Sequence, residues 1–205
     1  VRGAAKGTGT FDQETANKRQ FGRVTVRVEP LAKPEGFEIA WEQGALFAIP
    51  QGLHPAVERS LADEARSGAG VGYPLIGTKV TVVGGEHSEE DSTDLAFEVA
   101  TSRALQEAVE AAVRVLLEPL MRVEIRTPND YVGEVLGDLN RRRATVLGTE
   151  PTDADNTLLV ATVPLDSMFG YVGTLRSLSQ GRASHSMEPT GFQELPVDLA
   201  SKLLF

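Results

Sequence analysis

Between Leu120 and Met187 the spacing of apolar residues changes in a fixed order that few folds can satisfy. Leu120 to Thr127 alternates as a strand, and Asn129 to Arg143 follows with Val132, Val135, Leu136 and Leu139 on one helical face. Ala144 to Thr149 and Thr157 to Pro164 are strands around a polar, Asp-rich turn. A helix over Ser167 to Ser179 and a last strand over Arg182 to Met187 complete the run. The order is β-α-β-β-α-β, the split-βαβ or ferredoxin-like unit. Right-handed crossovers then place both helices on one face of an antiparallel sheet. One segment resists. Met168, Phe169, Val172 and Leu175 fall at helical spacing, yet Gly170 and Gly173 sit in the same turns. An interior glycine costs about 0.8–1 kcal/mol against alanine, so both need a packing or contact reason.

Upstream, the first 20 residues lack periodicity and are expected to form a mobile or cut end. Val24, Val26 and Val28 alternate in a strand ending near Pro30. A turn at Pro34-Glu35-Gly36 leads to a second apolar segment, Phe37 to Trp41. A helix opens at His54-Pro55 with Val57, Leu61 and Ala65 on one face, and Gly68, Gly70 and Gly72 end it. Leu75 to Val83 is a strand stopped by Gly84-Gly85, and a long helix is expected from Ser92 to Leu116. A short final helix spans Val197 to Leu204. The pattern restarts at Glu118-Pro119, so the fold class is α+β in two domains.

Composition narrows the function. The 205 residues contain no cysteine, which excludes disulfides and thiolate metal sites, and no apolar run approaches a membrane span. A cytoplasmic location is the expectation. A formal charge of −9 argues against a broad nonspecific nucleic-acid surface, though not against local cation clusters. Between residues 118 and 190 all cations are arginine, whose planar fork suits phosphate oxygens; biased codon usage would give the same composition.

Catalytic signatures are weak. His54, His87 and His185 are too scattered for a helical metal pair, and neither a GxSxG elbow nor a GxxxxGK[ST] phosphate loop occurs. Gly68-Ala69-Gly70-Val71-Gly72 follows a helix and precedes a strand, the reverse of a dinucleotide loop. The acidic run Glu86 to Asp91 fits a helix N-terminus better than a cation site, with Asp91 or Ser92 as the cap. Lys18, Arg19 and Arg23 surround Gln20-Phe21-Gly22; alone they read as a charged, solvated strand edge. Arg141-Arg142-Arg143 ends a helix, where cations complement the dipole.

Ordered motifs across the chain carry a resemblance. They include Gln20-Phe21-Gly22, Ile49-Pro50, Pro55-Ala56-Val57-Glu58, Gly72-Tyr73-Pro74, and Asp91-Ser92 with Leu95-Ala96-Phe97. Leu116-Leu117-Glu118-Pro119-Leu120-Met121-Arg122-Val123-Glu124 marks the junction. Gly137-Asp138-Leu139-Asn140, Met168-Phe169-Gly170-Tyr171, Leu175-Arg176-Ser177 and Gly181-Arg182-Ala183-Ser184 follow. In this order they resemble the fourth and fifth domains of elongation factor G, the GTP-driven ribosomal translocase family.

The resemblance implies a domain like the second domain of ribosomal protein S5 over residues 1–117 with 191–205, and a ferredoxin-like domain over 118–190. It implies a monomeric excised fragment without a membrane, metal, cofactor or catalytic residue of its own. GTP and Mg would bind an absent N-terminal domain of a parent that is a ribosome-dependent GTPase. The implied partners are the small-subunit decoding region, the large-subunit stalk base and sarcin–ricin loop, tRNA and mRNA. Three tip loops would meet RNA through Lys18, Arg19, Gln20 and Arg23, through Ser67, Gly68, Gly70 and Gly72, and through His87 and Ser88. In the second domain Arg141, Arg142, Arg143, Arg176 and Arg182 would do so. Departures are local. The family's Gly-Gly-Arg-Gly-Gln-Tyr-Gly-His loop is Ala16-Asn17-Lys18-Arg19-Gln20-Phe21-Gly22-Arg23 here, and the tip histidine is missing or displaced, to His87. An accessory, ribosome-protection or recycling factor that binds the A site without driving movement is the alternative.

Overall fold

The computed structural model describes residues 1–15, 18–33, 35–70 and 72–203; Ala16, Asn17, Pro34, Val71 and Leu204, which figure in the expectations above, lie outside them. Backbone contacts divide the chain into two units, Val1–Val115 and Leu116–Phe205.

The first unit comprises β1 (Ala5–Thr15), β2 (Lys18–Pro30), β3 (Phe37–Trp41), α1 (Gln43–Ala48), α2 (His54–Ser67), β4 (Thr78–Glu86) and α3 (Asp94–Ala111). Its sheet runs β1-β2-β4-β3, antiparallel except for the parallel β3–β4 pair. Val24, Val26, Val28, Val80 and Val82 point from the sheet into a core closed by Val57, Leu61, Phe97 and Leu105. The valine alternation of β2 is thus the buried face of a strand.

The expected loose end is instead a full strand. β1 pairs with β2 from Ala5↔Val28 to Thr15↔Lys18. Its inward positions include Gly7 and Gly9, so its period of two is written in glycines rather than in valines. Helix α3 lies over them with Ala100, Ala104 and Ala108 at a spacing of four, one stripe of small residues. A Cβ on Gly9 would stand 1.8 Å from Ala100 O, and one on Gly7 2.2 Å from Ala104 O. Backbone meets backbone here, which no larger residue permits.

Two helix ends differ from expectation. Thr93, not Asp91 or Ser92, caps α3, accepting the Ala96 N–H at 3.2 Å. The chain after Ala111 is extended, so the expected helix stops short of Leu116. Helix α1 has no signal in the sequence: it is six residues with only Ala45 buried.

The second unit contains β5 (Leu117–Pro128), α4 (Val132–Arg141), β6 (Thr145–Pro151), β7 (Asn156–Pro164), α5 (Tyr171–Leu178), β8 (Ser184–Glu194) and α6 (Val197–Leu203). The sheet order β6-β7-β5-β8, antiparallel throughout, is the expected ferredoxin-like arrangement. Val123, Ile125, Leu159, Ala161 and Val163 meet Val135, Leu139, Tyr171 and Leu175 in the core.

The second helix is shorter than its apolar spacing suggests. Leu165–Met168 forms a 3-10 turn, and Gly170 stands before α5 with φ +75°. It is a left-handed hinge rather than an interior residue, so the helix-interior cost does not arise. Gly173 remains inside α5 with open space around it, and nothing in the structure explains it. Strand β8 also runs past Met187. Residues Gly191 to Glu194 pair with Leu120 to Leu117. The expected return of 191–205 to the first domain is therefore revised for 191–194, because those residues complete the ladder of the second sheet.

Candidate nucleic-acid interface

The β1–β2 hairpin extends beyond the end of β4: Arg23 is opposite Glu86, and five further residues lead back to Lys18. The connection from β4 to α3 folds against this hairpin. Phe21 N–H donates to Asp91 O at 3.0 Å, and Ser92 Oγ donates to Phe21 O at 2.9 Å. Thr93 Oγ1 donates to Gln20 Oε1 at 3.2 Å while capping α3. Ser88 N–H donates to Ser92 Oγ at 2.9 Å. His87 Nδ1 lies 3.0 Å from Ala48 O; a carbonyl only accepts, so this nitrogen carries the proton. Gln20, His87 and Ser88 are thus brought together at one end of the unit.

The electrostatics of this end are not those of a bare cation cluster. Arg19 forks onto Asp12, Nε to Oδ1 at 2.9 Å and Nη2 to Oδ2 at 2.8 Å, and its guanidinium stands 5.7 Å from the Phe21 ring centre. The hydrogen bond with Asp12 raises the Arg19 pKa, and the same bond lowers that of Asp12. Arg23 Nη1 donates to Glu86 Oε1 at 2.8 Å and its Nε to Thr10 Oγ1 at 3.1 Å. Lys18 is exposed. Asp12, Glu14, Glu86, Glu89, Glu90 and Asp91 outnumber the three cations Lys18, Arg19 and Arg23.

The loop expected over Ser67 to Gly72 lies elsewhere. Leu75 N–H donates to Ala65 O, and Gly77 bonds to Gly36 and Leu31, all at the start of β4. The hairpin tip lies at the end of β4, so the strand's length separates them by roughly 25 Å at about 3.3 Å per residue. Ser67, Gly68, Gly70 and Gly72 therefore do not join the tip. The role of Gly68 is local, since it ends α2 with φ +88° and a Cβ there would meet Tyr73 O at 2.1 Å.

The second-unit arginines divide in the same way. Arg142 is held inside, with Nε to Asp138 Oδ2 at 2.7 Å, Nη2 to Thr174 Oγ1 at 3.1 Å, and Tyr171 at 4.9 Å. Arg143 forks onto buried Glu118 at 2.6 and 2.8 Å. These two tie the fold together, a role that helix-end cations in sequence do not disclose. Arg141, Arg176 and Arg182 face outward, Arg182 over the Tyr131 ring with a hydrogen bond to its hydroxyl. Sequence reasoning misses Asp12 as a partner of the tip. Once β1 is known to pair, Asp12 is opposite Phe21 and Glu14 opposite Arg19, within diagonal reach across the strands.

Among the described residues no group of three or more His, Asp or Glu could hold a metal ion. No helix among the described residues is long and apolar enough to cross a membrane. A mixed α+β unit whose hairpin runs past the end of its neighbouring strand is followed by a ferredoxin-like unit. Residues 1–113 match the family description "Elongation factor G, domain IV", and residues 115–203 match "Elongation factor G C-terminus". The chain belongs to the elongation factor G family. It is 41% identical over 205 residues to elongation factor G of Aquifex pyrophilus, covering all of this chain and 29% of that protein. It is 42% identical over 196 residues to elongation factor G 2 of Desulfotalea psychrophila, covering 96% of this chain and 28% of that one. A crystal structure from Thermus thermophilus superposes with a TM-score of 0.88 at 33% identity, covering 100% of this chain and 30% of that one. The chain spans under a third of the length of these relatives.

Proposed function

We propose that this chain is the ribosome-binding portion of an elongation factor G-type protein that enters the A site and promotes GTP-dependent translocation of tRNA and mRNA. The observation that carries this reading is the match of both units, in order and over nearly the whole chain, to the C-terminal domains of that family. The parent acts as a ribosome-dependent GTPase in the cytoplasm, with GTP and Mg bound in another domain. The first unit faces the small-subunit decoding region with Lys18, Arg19, Gln20, Arg23, His87 and Ser88. The second unit, a monomer's other RNA face, turns Arg141, Arg176 and Arg182 toward the stalk base and sarcin–ricin loop.

Mechanically the tip works as a pawl. Its two loops are cross-bonded through Phe21, Gln20, Asp91, Ser92 and Thr93, so it resists bending when tRNA and message push back. Replacing Lys18, Arg19 and Arg23 by glutamate in the full-length parent should slow single-round translocation at least tenfold. An unchanged rate removes the tip assignment. Polypeptide synthesis with the parent as sole translocase separates this reading from an accessory or ribosome-protection role, in which no synthesis occurs.

A further inference from the structure

Two of the three tip cations, Arg19 and Arg23, are already engaged. Arg19 holds Asp12 with the two-pronged geometry that a guanidinium offers a phosphate, and Arg23 holds Glu86. All four side chains remain between 43% and 60% exposed, so an incoming phosphate can reach either arginine without rearrangement of the backbone.

We propose that Asp12 and Glu86 are built-in competitors of RNA phosphate, so that the tip engages RNA by exchanging carboxylate for phosphate at Arg19 and Arg23. The inference rests on the RNA-facing reading of the tip. An exposed ion pair is weak, so the exchange is cheap and reversible. The carboxylate that is displaced remains next to the phosphate and shortens the contact. A tip so arranged grips weakly and lets go readily, as a part that must enter and leave once per cycle requires.

The test uses the 205-residue chain with a fluorescent single-stranded RNA 20-mer, read by anisotropy from 25 to 150 mM KCl. D12N and E86Q should each tighten binding about two- to fivefold, the range that an exposed pair spans. The control is E90Q, which removes the same charge from the same end, where Glu90 holds neither arginine. If E90Q tightens binding as much as D12N and E86Q, the effect is the general field and the inference is overturned. If the wild-type chain does not bind, or R19E/R23E binds as well as wild type, the RNA-facing reading itself fails.

Discussion

Replacing Gly9 by alanine tests the idea that β1 owes its place to a backbone-to-backbone approach. The added Cβ would sit 1.8 Å from Ala100 O and 2.5 Å from Ala104 N. Ordinary carbon contacts begin near about 3.4 Å, so strand or helix must move by roughly 1.5 Å. Overpacking of a tight site costs about 1–3 kcal/mol. The obstructing atoms are helix backbone, which cannot rotate away, so the upper end applies. With a urea slope of about 1.5–2 kcal/mol/M, a loss of about 3 kcal/mol lowers the midpoint by about 1.5–2 M. Trp41 is the only tryptophan, and it lies in β3 of the first unit, so its fluorescence reports that unit alone. Gly84→Ala is the control: nothing lies within 4 Å of its Cβ, and its midpoint should shift by less than about 0.3 M. A Gly9→Ala midpoint within that margin of wild type would refute the close approach.

Two predictions concern the second unit. Burial opposes ionisation of Glu118, but hydrogen bonds from Arg143 and Gln193, and the charge of Arg143, outweigh it and hold its carboxyl below the ordinary 4.5. Its contribution is therefore complete above that value and is lost as pH falls through the lower, folded one. E118Q should cost about 1–3 kcal/mol at pH 7 and flatten the acid limb of stability, measured by urea melts followed by circular dichroism from pH 3 to 7. A variant with an undiminished acid limb would remove Glu118 from the account. Tyr171 is 1% exposed, and its hydroxyl has no hydrogen-bond partner among the described residues. Burial first, and the field of Asp138 second, push its pKa far above the usual phenol. Y171F should be neutral or stabilising by up to about 1 kcal/mol in the same melts, and a clear loss would show that the hydroxyl is satisfied.

Where the chain buries side chains, its fold was legible. The valines of β2, the i and i+4 residues of α2 and α4, and the alternation in β5 and β7 each mark a buried face, because hydrophobic burial writes its period into the residue types. Where contact is made by backbone, that signal vanishes. Gly7 and Gly9 look like a loose end, yet a Cβ at either would run into the backbone of α3. Gly170 looks like a helix defect, yet it is a hinge with positive φ. At the end of β4 the fold places Gln20, His87 and Ser88 near one another, while Ser67, Gly68, Gly70 and Gly72 lie at the strand's other end. Loop composition alone carries no information on which end of a sheet a loop occupies.

The amino-acid order therefore settled two α+β units, the ferredoxin-like order of the second, and membership of the elongation factor G family, since these depend on periodicity and motif succession along the chain. Tertiary structure decided the distant partnerships: Arg143 with Glu118, Arg19 with Asp12, and Arg23 with Glu86. The reason is physical. A charge's role depends on which opposite charge the fold brings within about 3 Å, and residues 7, 25 or 63 positions apart in sequence give no local sign of that meeting.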